Sequence, residues 1–257
     1  MSSNSVVDKI KQIAIINKVH TYARSVNADV SFLPLTIKQQ KNIIKTALDV
    51  VLSPITFSLT TTEIIKENIQ RKTNLSIIDK PLILLALRAN SLGTSYVIDG
   101  EQKEVVDLSE CLKRREAINI ADLAETLTFD NLEITTKVPS LEEDYRVNLD
   151  CKRVLDSRKS NDNDKIKDLI GEVYVYEIIK FIDNIKVTVD SKTDEIKFNI
   201  LSINQKVETV ESLPMTVTTK LIQSIANIRK VETDSLKLMV GDKEVTINLD
   251  TAFFTKE

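Results

Sequence analysis

Residues 30–52 read VSFLPLTIKQQKNIIKTALDVVL, and the local order of this stretch decides how the chain is parsed. A short β-prone run meets Pro34, which cannot donate to a strand ladder and therefore ends it. Thr36 stands three residues before Gln39, the spacing at which side chain and backbone satisfy each other at a helix start. From there Ile37, Ile44, Leu48 and Val51 share one helical face, which predicts a core-facing stripe. Lys38, Lys41 and Lys45 share another, at i, i+3 and i+7. This lysine face reads as a solvated surface or as a docking face for an acidic partner.

Working outward, residues 18–24 and 27–33 predict a hairpin around Ser25, Val26 and Asn27. Downstream, residues 60–72 predict a helix that its threonines can cap. Residues 81–89 predict a helix apolar nearly all round, with Pro81 in its first turn and Gly93 as its stop. That helix is the candidate for the centre of the core. Residues 94–108 predict a hairpin around Asp99-Gly100, with a short helix or loop to Arg115, and residues 127–138 alternate like a strand. Residues 140–155 predict a helix with acids first and bases last. The polar run SRKSNDND at 157–164 reads as a linker. Residues 165–185 predict the longest helix, and helices are also predicted at 192–201, 204–211 and after Pro214. Residues 236–249 predict a closing hairpin around Gly241-Asp242.

The sum is an α+β protein in which helical regions flank a small β-rich module, with short N- and C-terminal β-hairpins. The boundaries so read are 1–93, 94–139 and 140–257.

Composition narrows the chemistry. The 257 residues are 42% hydrophobic and 28% charged, the balance of an ordinary globular chain. Thirty-five basic residues against 38 acidic ones give a net charge of −3, so no overall polyanion-binding character is expected. No apolar run reaches the roughly 20 residues of a spanning helix, and the apolar N-terminal run at 13–16 lacks the flanks of an export signal. Cys111 and Cys151 stand far apart and read as free thiols of a reducing cytoplasm. His20 is the single histidine, so a histidine triad or two-histidine metal site is excluded within one chain, and it reads as a half-buried strand residue. The four glycines supply no phosphate-binding loop. No catalytic residue, metal site or cofactor is therefore expected. Phe253 and Phe254 near the end of the chain read as tucked into a core or as a short docking plug.

The segment FLPLTIKQQKNII resembles the N-terminal signature of the baseplate hub and hub-assembly proteins of T4-like bacteriophages, where an extended segment, a proline and a polar helix start follow one another. The order of the remainder is similar, through Leu213-Pro214 before the penultimate helix to the ending VTINLDTAFF. The relatives' terminal hairpin carries cysteines in places, whereas residues 235–241 here carry none, a departure from any metal-stabilised version of that hairpin. The resemblance implies a non-enzymatic part, or assembly chaperone, of the contractile-tail baseplate hub. It would act in the host cytoplasm during assembly or in the virion tail. Its partners would be other baseplate hub proteins, with the tape measure protein as a further candidate, and neither a membrane nor nucleic acid. Lys38, Gln39, Lys41, Lys45, Phe253 and Phe254 are the partner-binding residues so indicated. The alternative is a nucleic-acid-associated or regulatory accessory protein using the lysine face.

Overall fold

Residues 81–88, PLILLALR, are buried without interruption, and the helix that holds them gathers half of the chain around itself. The computed structural model describes residues 16–48, 53–98, 104–157 and 163–255, together with Val6, Lys9, Gln12 and Ile13, and for 163–170 the backbone alone. Among these residues the order begins with β1 (Val19–Ala23), β2 (Ala28–Phe32), α1 (Ile37–Lys45), α2 (Ser53–Asn68) and α3 (Lys80–Leu92). It continues through β3 (Ser95–Ile98), β4 (Glu104–Asp107), α4 (Ser109–Leu112), β5 (Thr126–Phe129), β6 (Leu132–Thr136), α5 (Leu141–Ser157) and α6 (Asn163–Ile179). Then come β7 (Ile182–Val189), β8 (Lys192–Lys197), α7 (Ile203–Glu211), α8 (Met215–Asp234), β9 (Lys237–Val240) and β10 (Lys243–Thr246). The α+β class holds, with antiparallel hairpins β1–β2 and β9–β10 toward the two ends.

The chain divides into two compact units, one of Met1–Leu75, Asp79–Ile118 and Thr233–Glu257, the other of Ser76–Ile78 and Asn119–Glu232. This differs from the boundaries read from sequence. The expected β module at 94–139 is shared out: β3 pairs only with β4, in the first unit, whereas β5 and β6 join β7 and β8 in one four-stranded antiparallel sheet. Pairing partners far along the chain, which local pattern does not encode, decide the division.

In the first unit, α3 is apolar all round from Pro81 to Leu87, and three charged residues, Asp79 at its cap and Lys80 and Arg88 within it, each tie down a different element. The buried Asp79 carboxylate accepts from the Ser25 backbone N–H at 2.9 Å and from the Ser25 hydroxyl, holding the β1–β2 turn. Lys80 donates to the Ser58 carbonyl at 3.0 Å and to the Ser58 and Thr62 hydroxyls at 2.9 Å, fixing α2. Arg88, 4% exposed, donates to the carbonyls of Phe253 at 3.3 Å, Ser95 at 3.0 Å and Gly93. Its guanidinium also lies over the rings of Tyr96 and Phe253, at 5.2 and 5.4 Å, a favourable cation–π geometry. Gly93 ends α3 at φ +90°, a backbone region that strains any side-chain-bearing residue. Phe253 and Phe254 are fully buried, with Phe253 edge-on to Tyr96 at 5.2 Å and Phe254 6.2 Å from Phe57.

In the second unit, the buried face of α5 runs Leu141, Asp144, Asn148, Cys151 and Leu155. Its helix start is sealed by Ser140 and Glu143, which exchange backbone and side-chain hydrogen bonds. Lys180, just past α6, forms a buried ion pair with Asp144 at 2.9 Å and a second with Glu177 at 2.5 Å. Arg229 of α8 bridges Glu177 and Glu232. Removing one partner of the Lys180–Asp144 pair, whose side chains are 4% and 5% exposed, would strand a buried charge.

Three local expectations are corrected. The helix placed at 60–72 already begins at Ser53, and the threonines expected to cap it lie inside, where Thr61 donates back to the Phe57 carbonyl at 2.7 Å. The helix placed at 165–185 stops at Ile179, and Ile182–Val189 is strand β7, because its β-branched alternation is paired on both sides by β6 and β8. The helix placed at 192–201 is strand β8, reached through Asp190 and Ser191, both at positive φ. That geometry twists like the flanking strands and so favours hairpin closure. The predicted turn at 99–100 and most of the predicted linker lie outside the described residues.

Arg88→Ala removes a charged donor set from three carbonyls and opens space beneath Phe253. Charge-assisted hydrogen bonds contribute about 1.5–3 kcal/mol each and are not additive, so a loss of about 3 kcal/mol or more is expected in urea unfolding. Cleavage of residues 250–257 by protease should quicken in the same variant. A loss below about 0.5 kcal/mol contradicts the anchoring role.

Candidate partner-docking face

Helix α1 starts where the sequence says it should. Thr36 is the cap, in extended conformation at φ −87° and ψ 156°. Its hydroxyl accepts from the Gln39 N–H at 3.2 Å while Gln39 Oε1 accepts from the Thr36 N–H at 3.0 Å. At the other end the Thr46 hydroxyl donates to the Ile43 carbonyl at 2.7 Å, and a single 3₁₀ turn continues to Leu48.

The rotation of α1 about its axis is the unexpected feature. The residues facing inward are Gln39, Ile43 and Thr46. Gln39 Nε2 donates to Asn68 Oδ1 at 2.9 Å and to Glu67 Oε2 at 3.0 Å, and Asn68 Nδ2 donates back to Gln39 Oε1 at 3.3 Å. All the hydrogen-bonding capacity of this buried amide is thus used, so its burial carries no unmet desolvation penalty. The expected apolar stripe is turned to solvent instead: Ile37 is 73% exposed, Ile44 39% and Leu48 82%. Val51, the fourth member of that stripe, lies outside the described residues. At 100° per residue Ile37 and Ile44 fall within about 20° of one another on α1, and Leu48 follows at the end of the 3₁₀ turn.

Lys38, Lys41 and Lys45 are exposed, as expected of a solvated or docking face; Lys41 falls between Ile37 and Ile44 along the apolar stripe, and Lys38 and Lys45 lie beside it. Gln39 is not on that face; it is buried and engaged as above, which removes it from the partner-binding set. Phe253 and Phe254 are likewise buried in the first unit and form no plug. They nevertheless meet α1 from behind, since Gln40 Nε2 donates to the Phe254 carbonyl at 2.7 Å. The structure therefore brings together the two stretches that carry the sequence resemblance, one at each end of the chain.

The stripe was expected to face the core, and its spacing held a signal against that. Ile37, Ile44 and Leu48 recur at i, i+7 and i+11, and Gln40 and Lys41 occupy the i+3 and i+4 positions that a core-packed face fills with apolar residues. A narrow stripe of that kind suits a helix–helix seam.

Cys111 and Cys151 are both free and buried. Burial pushes both thiols up, Cys151 to about 12, with Lys180 opposing that rise; as thiols rather than thiolates they are poor nucleophiles. His20 is exposed rather than half-buried and bonds Ser31 Oγ at 3.0 Å. A depression of about 710 Å³ beside it is lined by Ile16, Asn17, Lys18 and Asn90, with no carboxylate to pair with the imidazole among these residues. Among the described residues, no three His, Cys, Asp or Glu side chains gather where they could hold a metal ion. Compared with known proteins, the chain matches no family model, no curated protein and no solved structure.

Because Ile37 and Leu48 are mostly exposed, changing both to Ser should alter unfolding free energy by no more than about 1 kcal/mol. Gln39→Ala alone should cost about 1–3 kcal/mol, since it orphans Asn68 and the helix start. Urea titrations of the two variants decide it; the reverse order of effects contradicts the orientation of α1.

Proposed function

We propose that this protein is a non-enzymatic component or assembly factor of the baseplate hub of a T4-like contractile phage tail, working by protein–protein interaction through the outward face of α1. The observation that carries the reading is the pairing, on α1 and the 3₁₀ turn that follows it, of three exposed apolar side chains with three lysines. Fully burying an exposed Leu or Ile side chain is worth about 1.5–3 kcal/mol, so Ile37 and Leu48, mostly exposed, keep much of that driving force for a partner. Exposed apolar side chains rimmed by charge suit an interaction site.

The resemblance supplies the class of partner. Its two specific stretches, FLPLTIKQQKNII and VTINLDTAFF, converge on α1 and the segment behind it. Other baseplate hub proteins are the partners proposed, with the tape measure protein as a further candidate. The role needs no cofactor, and no helix among the described residues is long and apolar enough to cross a membrane. Association with nucleic acid through Lys38, Lys41 and Lys45 is less favoured. A duplex backbone would be met by the lysines but would leave the adjacent apolar stripe with no complementary surface.

Affinity capture during infection by the virus that encodes the chain, followed by mass spectrometry of purified virions, tests the proposal. Baseplate hub proteins should be captured by the wild type and lost with the Ile37→Ser, Ile44→Ser, Leu48→Ser variant. A fixed copy number in tails assigns a permanent part; capture with absence from virions assigns an assembly factor. Capture of no baseplate protein, or salt-dependent DNA binding in its place, overturns the reading.

A further inference from the structure

Lys41 lies within the apolar stripe of α1 rather than beside it. On α1, Ile37, Lys41 and Ile44 follow one another at spacings of four and three residues, which is the d, a, d order of a heptad seam, and the exposed Leu48 extends the apolar surface from the 3₁₀ turn that follows. On that register Lys38 and Lys45 both fall at e. The g flank is Gln40, which is half-buried and committed to the Phe254 carbonyl. Positive charge is thus confined to the seam and one of its flanks.

We infer that this face docks an amphipathic helix of another chain, one with an apolar a/d stripe and a row of acidic side chains along a single flank. The inference rests on α1 being a docking face, but not on the identity of the assembly it belongs to. The apolar residues offer the seam contact. Lys38 and Lys45 at e select acids on the facing flank, as charges at e and g do in paired helices. A Lys at an a position weakens an apolar seam and selects a partner able to place an acid opposite it, while its stem packs along the stripe. Charge sign makes the alternatives worse occupants. The helix sequence IKQQKNIIK contains no acid, so a second copy would set lysines against lysines. The N-terminal sequence of this chain carries Lys9, Lys11 and Lys18 against Asp8, again the wrong sign.

The test uses the full chain and two synthetic three-heptad peptides with Leu at a and d, one with Glu and one with Lys at e and g, read by fluorescence anisotropy. The Glu peptide should bind at least about tenfold tighter than the Lys peptide at low salt, with the gap narrowing as ionic strength rises. The charge-reversed variant Lys38→Glu, Lys41→Glu, Lys45→Glu should invert the preference. The variant Ile37→Ser, Leu48→Ser should weaken binding of both peptides. Equal affinity for the two peptides, binding of neither by the wild type, or an unchanged preference in the charge-reversed variant overturns the inference. If the preference inverts as described while infection yields no baseplate partner, the helix-docking inference stands and the assembly assigned above falls.

Discussion

The contact between Gln39 and Asn68 sets which way helix α1 faces. Gln39 is bound at both its amide atoms, to the helix start on one side and to the end of α2 on the other. Asn68 is held in turn by its carbonyl, which accepts from the Leu33 N–H at 2.8 Å just past β2. A rotation of α1 that buried Ile37 and Leu48 would have to withdraw this amide pair into solvent on one side and leave its partners unpaired on the other. Buried polar groups stripped of partners cost about 1–3 kcal/mol each. The network therefore holds a stripe of isoleucine and leucine outward against its own hydrophobic preference.

That orientation depends on what stands behind α1. The apolar helix α3 acts as a post to which Asp79, Lys80 and Arg88 tie the first hairpin, α2 and the last residues of the chain. Arg88 fixes Phe253, Phe254 packs against Phe57 of α2, and the Phe254 carbonyl receives Gln40 of α1. Three charged side chains, one at the cap of α3 and two on it, thus convert a hydrophobic core into a unit with defined positions. Burial alone is non-directional; the hydrogen bonds to named carbonyls supply direction. The function proposed above uses this arrangement by presenting a rigid helical face rather than a cavity.

Much of this was legible in the sequence, and the parts that were not have identifiable physical reasons. Pro34, Thr36 and Gln39 are local signals, and they produced the helix start they announce. Pro81 and Gly93 bracket α3 for the same reason, because backbone geometry at those residues is set within a few positions. The run around Phe181 and Ile182 could be either helix or strand by its own pattern, and only pairing with β6 and β8, up to dozens of residues away, settled it. The hairpin at 94–108 and the run at 127–138, expected in one β module, were likewise separated by partners that local pattern does not name. For α1, the face carrying Ile37, Ile44 and Leu48 was visible, but its direction was not. Amphipathicity fixes the two sides of a helix, and here a polar amide with a fully matched set of partners took the inner one.

Accessibility along α1 tests this account most directly. In a background with Cys111 and Cys151 replaced by Ala, single cysteines at positions 37, 39, 43, 44 and 48 can be timed against an aqueous thiol reagent in the folded protein. Rapid modification at 37, 44 and 48, with protection at 39 and 43, is the result the structure predicts. Protection at 37 and 48 with rapid reaction at 39 would contradict it, and would place the apolar stripe in the core and remove the docking face.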